Sequence, residues 1–596
     1  MPQYTFSVKL YLCAPILSQA TGGRKHGIDT VMLRNSADNL CLLGSSIRGN
    51  LRHAWKQFEK FGLDEKLINQ WLGEESPKDK QNDPARAQLS FDYYWQAEQQ
   101  PKPKTEQESN ISDQIVRHRI RVNRETGTVE SGALQVIEAP YLVGEEVCFT
   151  GKIYALLSGE SEKNILTCWL KKGFNYIPAI GAFRGVGFGR VARVEIHEVD
   201  PVKSNTAQKI TAVPSHFGIT LTLDRPFCFA KHHHGNNHFA STSYIPGAAI
   251  VGALAHRLPE NPALRSDFDK LIVSHAFPAK KGKKQRSLAI PYGFVSAPTS
   301  LPKDSSKKII YDIYDISLKK NAGLIHECAP AFSPDWKEEM RKKAHELCHQ
   351  CDPSRAVHTH TAINSTAQRA KESQLFSMEV VEVEEHQWLA NINCENLSEA
   401  ARSELWQLLH TGLYGLGKTK ATATIICDSK PYAYPVTVNQ LPEKTGETFV
   451  LMLQTAALLL PPVANPPQNL KDRYADTWKE LFNDSVELSH FYAQQQLVGG
   501  GYLHERFWKK KEDCQNYQPE ILTTAGSVFI FKVNDLDTVQ TCLKKWLKTG
   551  LPQHSKTPGG ENWQQNPYIA ANGYGEIVIN PQWQTAKLAG AWHELN

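Results

Sequence analysis

The chain of 596 residues holds no run of about 18 consecutive apolar residues, so no segment is expected to span a bilayer. Its opening, YTFSVKLYL, alternates polar and apolar residues and reads as a β-strand rather than a signal peptide, which makes the cytoplasm the expected location. Twelve cysteines are too few for a disulfide framework in so long a chain. Cys41, Cys148 and Cys427 each stand alone among apolar neighbours, as small hydrophobes of a reduced protein do. Charge of neither sign dominates: 67 Lys and Arg against 62 Asp and Glu leave a net +5, which excludes a polycation. Basic residues do gather locally, in KHHH (231–234), KKGKKQR (280–286), KK (307–308) and KKK (509–511). Such clusters attract a polyanion such as RNA through counterion release, or else stand as solvated loops.

What the chain does have is an internal repeat. GSSIRGNLRHAW (44–55), HRIRVNRETGTVESGAL (118–134) and GAFRGVGFGRVARVEI (181–196) recur in order as IPGAAIVGALAHRL (245–258), HTHTAINSTAQRAKESQL (358–375) and GLYGLGKTKATATIIC (412–427). Gly44, Ile47, Gly49, Leu51 and His53 face Gly247, Ile250, Gly252, Leu254 and His256 without a gap. Two long copies define a duplicated domain, not a solenoid.

The length suggests three or four compact units. Residues 1–203 form the first and 212–440 the second, the latter interrupted by an insertion at about 259–355; 445–596 reads as a third, degenerate half-copy belonging with the second. Each copy runs strand, glycine-bearing loop, helix, further strands, second helix and glycine-flanked strand. That is an α+β pattern of tandem ferredoxin-like (RRM-like, βαββαβ) domains with large insertions. Residues 76–113, rich in Lys, Gln, Glu and Pro, read as mobile loops around one short strand, LSFDYYW.

In RGVGFGR and GLYGLGK, the glycines let the backbone lie against something flat while Arg184, Arg190, Lys418 and Lys420 supply positive charge, which suits a phosphate backbone. Because these glycines lead into a strand and not a helix, they are not a dinucleotide fingerprint. Phe183, Phe188, Tyr414 and Tyr574 beside glycines are candidates to stack on bases or to pack in the core.

These ordered phrases resemble the paired signature of the RAMP superfamily, the repeat-associated RNA-binding proteins of CRISPR effector complexes. The resemblance implies a role in antiviral defence and, as partners, a CRISPR guide RNA, complementary target RNA and other effector subunits including the large polymerase-like one; no membrane partner is implied. The first copy looks like a type III backbone subunit, with Asp29 where that family places its target-cutting aspartate. The second has FAKHHHGNNHFASTSYIPG at the matching place and resembles the subunit that caps the guide 5′ end in subtype III-D, so the chain resembles a fusion of the two. Asp29 with His26 and Arg24 forms the expected cleavage site, where Mg2+ or another divalent cation assists attack by the substrate's own 2′-hydroxyl. The expected RNA contacts are Lys25, Arg34, Ser45, Ser46, Arg48, Arg52, Arg117, Arg119, Arg184, Arg190, His232, His233, His234, Lys418 and Lys420.

Cys348-x-x-Cys351, with Cys328 and His345, has the spacing of a structural Zn2+ site, against the alternative of a helix whose cysteines line an apolar or solvated face. Two other functions compete with target cleavage. One is a non-catalytic RNA-binding scaffold with Asp29 idle; the other is a metal-independent guide-processing endoribonuclease with a histidine among 232–238 as general base, against the alternative that these histidines form a flexible basic loop touching RNA phosphates.

Overall fold

The alternation of YTFSVKLYL becomes a strand, β1 (Gln3–Cys13), whose residues Phe6, Val8, Leu10 and Leu12 are all buried. The computed structural model describes residues 3–21, 27–74, 87–100, 116–199, 213–234, 237–298, 308–312, 331–363, 370–461, 469–499, 519–557, 560–561 and 566–583. Among them the architecture is mixed α/β, built mostly on antiparallel sheets. No helix of the described residues is long and apolar enough to cross a membrane.

The first unit continues with β2 (Cys41–Leu43), α1 (Gly44–Gln57), α2 (Glu65–Leu72), β3 (Leu89–Phe91), β4 (Tyr94–Ala97), β5 (Val116–Arg119), β6 (Gln135–Glu138), β7 (Glu146–Leu156), α3 (Glu160–Tyr176) and β8 (Arg190–Val199). Its main sheet runs β2-β4-β7-β1-β8, with β3 also on β7, while β5 and β6 form a separate hairpin. On α1, Ile47, Leu51, Ala54 and Trp55 are buried; their helical spacing lays one stripe on the sheet and leaves the opposite face to solvent. LSFDYYW forms two strands instead of the single one expected. Asp92 interrupts them, its carboxylate accepting the Lys152 N–H at 2.7 Å and the Tyr154 hydroxyl at 3.0 Å.

The second unit comprises β9 (His216–Leu223), β10 (Ala230–His234), β11 (His238–Ser241), α4 (Gly247–Ala255), α5 (Pro262–Asp267), β12 (Ile272–Val273) and β13 (Phe277–Lys280). A small module follows, with β14 (Phe294–Pro298), β15 (Lys308–Asp312), β16 (Ala331–Phe332) and α6 (Glu338–Leu347). The unit then resumes with β17 (Arg355–Ile363), β18 (Ala370–Val381), β19 (His386–Asn393), α7 (Glu399–His410), β20 (Leu413–Leu416) and β21 (Ala421–Cys427). Its sheet is β12-β19-β9-β21-β20, with β13 also on β19, so two strands of the 259–355 stretch are members of this ladder. His232, His233 and His234 lie in β10, paired with β11, and not in the loop expected for them.

The third unit has β22 (Thr448–Leu453), α8 (Leu470–Leu481), β23 (Val486–Tyr492), β24 (Gln495–Val498), β25 (Glu520–Thr523), β26 (Val528–Val533), α9 (Leu536–Thr549) and β27 (Ile577–Ile579), with a main sheet ordered β23-β26-β22-β27. In each main sheet the unit's first strand lies between a later strand and its last: β1 between β7 and β8, β9 between β19 and β21, and β22 between β26 and β27. The third sheet is covered on both faces. Phe449, Leu451, Phe529 and Phe531 pack with Tyr474 and Trp478 of α8, while Val450, Met452, Val528 and Val578 pack with Phe294, Trp336 and Met340 of the inserted module. Alternating residues of a strand point to opposite faces, which is why these sets interleave. Fully buried Arg286 ties the second and third units together through a bidentate pair with Glu576, which also accepts the Tyr434 hydroxyl at 2.6 Å.

Candidate nucleic-acid interface

Each repeated phrase has a structural cause. Gly44 and Gly247 begin α1 and α4 where the helix start abuts backbone: a Cβ would sit 1.9 Å from the Asp92 carbonyl oxygen in one copy and 2.3 Å from that of Val273 in the other. Gly189 and Gly417 are left-handed, at φ +64° and +67°. They close the two glycine loops against the chain beyond the central strand, through Gly189 N–H to the Pro15 carbonyl at 2.8 Å and Lys418 N–H to that of Cys228 at 2.9 Å. A side chain at either position meets both an unfavourable backbone conformation and a carbonyl.

In the first unit the loop and α1 together form a basic face. Arg184 reaches α1, donating from Nη1 to Asn50 Oδ1 at 2.7 Å. Arg48, Arg52, His53 and Lys56 follow along α1, each half-buried. Burial and the nearby Arg52 lower the pKa of Arg48; burial, then Arg184 and Lys56, lower that of His53. Burial is the larger cause of both shifts, and the neighbouring cations add to it. Arg52 donates to the Gly73 carbonyl and to Asn69 Oδ1, while Ser45 is exposed and Ser46 half-buried at the start of the helix. Gly185 and Gly187 have open space where a side chain would stand.

The β5–β6 hairpin brings this face to the acid. Arg119 lies over the Phe183 ring at 4.4 Å, joining hairpin to glycine loop. On the opposite strand Val136 brackets Asp29: the Asp29 N–H donates to the Val136 carbonyl at 3.0 Å, and the Val136 N–H donates to Asp29 Oδ2 at 2.7 Å. Since Arg119 pairs with Gln135 and His118 with Val136, Asp29 stands one rung from Arg119. It is exposed, and among the described residues Oδ1 accepts no hydrogen bond.

The remaining expected residues fall in several places. Arg24, Lys25 and His26 lie outside the described residues, as does Cys328. Arg34 faces inward at 17% side-chain exposure, bonded to Glu138 at 2.6 Å, and that bond raises its pKa. Arg117 is half-buried on β5, and exposed Arg190 donates to Cys13 Sγ at 3.6 Å. In the second unit the Lys418 ammonium sits 3.9 Å over the Phe239 ring, and half-buried Lys420 follows at φ +54°. Phe188 is buried in the core, whereas Phe183, Tyr414 and Tyr574 are half-buried. Sequence reasoning did not single out Asn50, Lys56 or His118; the charge period along α1 was the signal for Lys56, while Asn50 and His118 gain their places only by tertiary contact.

Among the described residues, Cys348, Cys351 and His345 belong to no group of three or more potential metal ligands. Cys348 packs with Met340 and Ala344 in an apolar cluster, where burial pushes its thiol pKa up. His345 Nδ1 is engaged by Asp352 at 2.9 Å.

Residues 19–192 match the family model described as RAMP superfamily, a span that takes in Asp29, α1, the hairpin and the first glycine loop. That part of the chain is therefore similar to the RAMP superfamily. No curated protein matches the sequence. Two solved structures are similar over 52% of this chain and 86% of their own at 13% identity: the type III-B Cmr-beta bound to cognate target RNA, and the same complex bound to target RNA and AMPPnP in state 1. Both have a TM-score of 0.26, too low to establish a shared arrangement.

Proposed function

We propose that this chain is a RAMP-type RNA-binding subunit of a type III CRISPR effector complex, built from tandem ferredoxin-like units that hold guide RNA, with the first unit also cutting target RNA at Asp29. The observation that carries the reading is that the β5–β6 hairpin holds an exposed carboxylate and, through Arg119 over Phe183, meets the open glycine loop whose Arg184 reaches the basic helix α1. The order of the strands in each unit supports the ferredoxin-like assignment, as does a helix after the unit's first strand (α1, α4, α8) and another before its last (α3, α7, α9). In this reading the first unit is the backbone type and the second and third are the guide-capping type, with companion subunits including the large polymerase-like one.

Cleavage would follow from attack of the substrate's 2′-hydroxyl on the adjacent phosphate, with Asp29 taking the proton or holding a divalent cation such as Mg2+, and Arg119, on the neighbouring rung of the hairpin, as the candidate to meet developing negative charge. A single carboxylate fits a hard cation that completes its shell with phosphate oxygens and water. When bound, such a cation would supply charge neutralisation at the phosphate.

The scaffold reading has one observation in its favour: Asp29 Oδ2 already serves the backbone of Val136, as a purely structural aspartate would. Asp29→Asn separates the two, because its amide oxygen keeps that bond while losing the charge. Loss of one cut in the assembled complex, with RNA binding retained, supports cleavage; unchanged cutting rejects it. Sequencing the copurifying RNA tests the broader reading, which requires short RNAs sharing a repeat-derived 5′ end.

A further inference from the structure

The stretch that carries Asp29 is held from two units at once. Residues 18–20 and 31–33 pair antiparallel about Gln19 and Met32, with Ala20 N–H donating to the Val31 carbonyl at 3.0 Å and Leu33 N–H to that of Ser18 at 2.7 Å. Val31, Met32 and Leu33 are buried, whereas Thr21 and Asp29 stand exposed just beyond the paired residues, at the end where the chain connects the two sides. Val136 of the first unit's own hairpin secures the Asp29 side. The Thr21 side crosses to the second unit: Thr359 N–H of β17 donates to Thr21 Oγ1 at 2.8 Å, and the Thr21 hydroxyl donates to Thr359 Oγ1 at 3.0 Å. The neighbouring residue, His358, is buried at 4% exposure and bonded to Tyr93 and Tyr94 of the first unit. That contact fixes where β17 presents Thr359.

We propose that the β17–β18 hairpin of the second unit positions the Asp29 arm of the first, with Thr21 and Thr359 as positioning residues for target cleavage. The inference rests on the reading of Asp29 as the cleaving residue. A short two-stranded pairing is only marginally stable by itself, so an anchor just beyond it at Thr21 restricts the motion of the stretch that carries the carboxylate. In-line attack is sensitive to that displacement, a misplacement of about 1 Å costing on the order of 10²-fold in rate. The duplicated hairpin thus has a second use: in the first copy it holds the acid directly, and in the second it holds the far side of the acid's own ladder.

Thr21→Val is nearly isosteric and removes both hydroxyl bonds, whereas Thr21→Ser keeps the hydroxyl. Two readouts on the full chain are compared, amide hydrogen exchange of residues 27–31 and single-turnover cleavage in the assembled complex with Asp29→Ala in parallel. Loss of two modest hydrogen bonds should speed exchange about 10-fold in Thr21→Val and slow the Asp29-dependent cut roughly 10-fold or more with unchanged KM. Thr21→Ser should restore both. Exchange in Thr21→Val equal to that of the Ser variant overturns the positioning role, as does unchanged cutting where Asp29→Ala abolishes it. If Asp29→Ala leaves every cut intact, the reading of Asp29 fails and the claim about cleavage falls with it, while exchange alone still decides whether the arm is held from the second unit.

Discussion

The hydroxyl of Tyr93 lies 2.5 Å from Nδ1 of His358, a residue 265 positions further along the chain, and the two rings stack with centroids 5.5 Å apart. The other ring nitrogen is 3.3 Å from the Tyr94 hydroxyl, which in turn donates to Glu382 at 3.2 Å. Tyr93 donates, neutral His358 accepts at Nδ1 and carries its proton on Nε2, and the sequence of bonds ends on a buried carboxyl. This clasp joins the two repeated units.

Its pH dependence should be masked in the native protein. Burial, reinforced by His360, lowers His358 from 6.5 to about 4, a contribution lost as pH falls through that range. Burial, opposed by the Tyr94 bond and aided by Glu384, raises Glu382 from 4.5 to about 7, a contribution present at low pH and lost as pH rises to 7. Between about pH 4.5 and 6.5 the slopes oppose and nearly cancel. Glu382→Gln should expose the His358 term, so that stability climbs with pH by up to about 1.4 kcal/mol per unit in this window. Urea midpoints at several pH values check this; a flat profile in the variant would count against the clasp.

Alanine at Asp29 should remove one cleavage position and leave guide and target binding nearly unchanged, because one exposed carboxylate contributes little to a phosphate-dominated affinity. Alanine at His232, His233 and His234 together should weaken guide binding with no particular cut missing. The product ladder of an end-labelled target reads both. A histidine variant that loses one cut would reverse the roles assigned to the two units.

RNA affinity should fall steeply with salt, by about 10³ between roughly 50 and 200 mM if six or more phosphates are contacted. Arg48→Ala and Arg184→Ala should each flatten the log–log slope by about one and weaken binding alike across sequences. Filter binding at a series of salt concentrations measures it, and unchanged slopes would place the phosphates elsewhere.

Glu576→Gln should destabilise the junction of the second and third units by about 3–5 kcal/mol, since the fully buried Arg286 guanidinium then loses its countercharge. Arg286→Met with Glu576→Gln should recover part of that loss. Denaturant unfolding of the full chain would show the difference.

Gly189→Ala should cost about 2 kcal/mol or more, as the added carbon lies 1.9 Å from the Ile180 carbonyl and the backbone is left-handed. Gly185→Ala, where space is open, should be far milder. Comparing their thermal midpoints distinguishes a steric demand from a general effect of glycine removal.

The repeat, its glycines and the amphipathic stripe of α1 were legible in the sequence because they are local. A period of 3.6 places Ile47, Leu51, Ala54 and Trp55 on one side, and a left-handed turn selects glycine whatever surrounds it. The sequence also marked Asp29 and the arginines of α1. It could not show that Val136 brackets that aspartate, that Arg34 turns inward to Glu138, or that Cys348 joins an apolar cluster, since each depends on a partner distant in the chain. The third unit's complete strand order was hidden for a related reason: hydrogen-bonded ladders are made by backbone, so a sheet can persist while the phrases that mark it fade. Above all, the clasp of Tyr93 on His358 and of Thr21 on Thr359 belongs to tertiary structure alone, because which surfaces of two similar units meet is decided by the packing of whole domains and leaves no period to read.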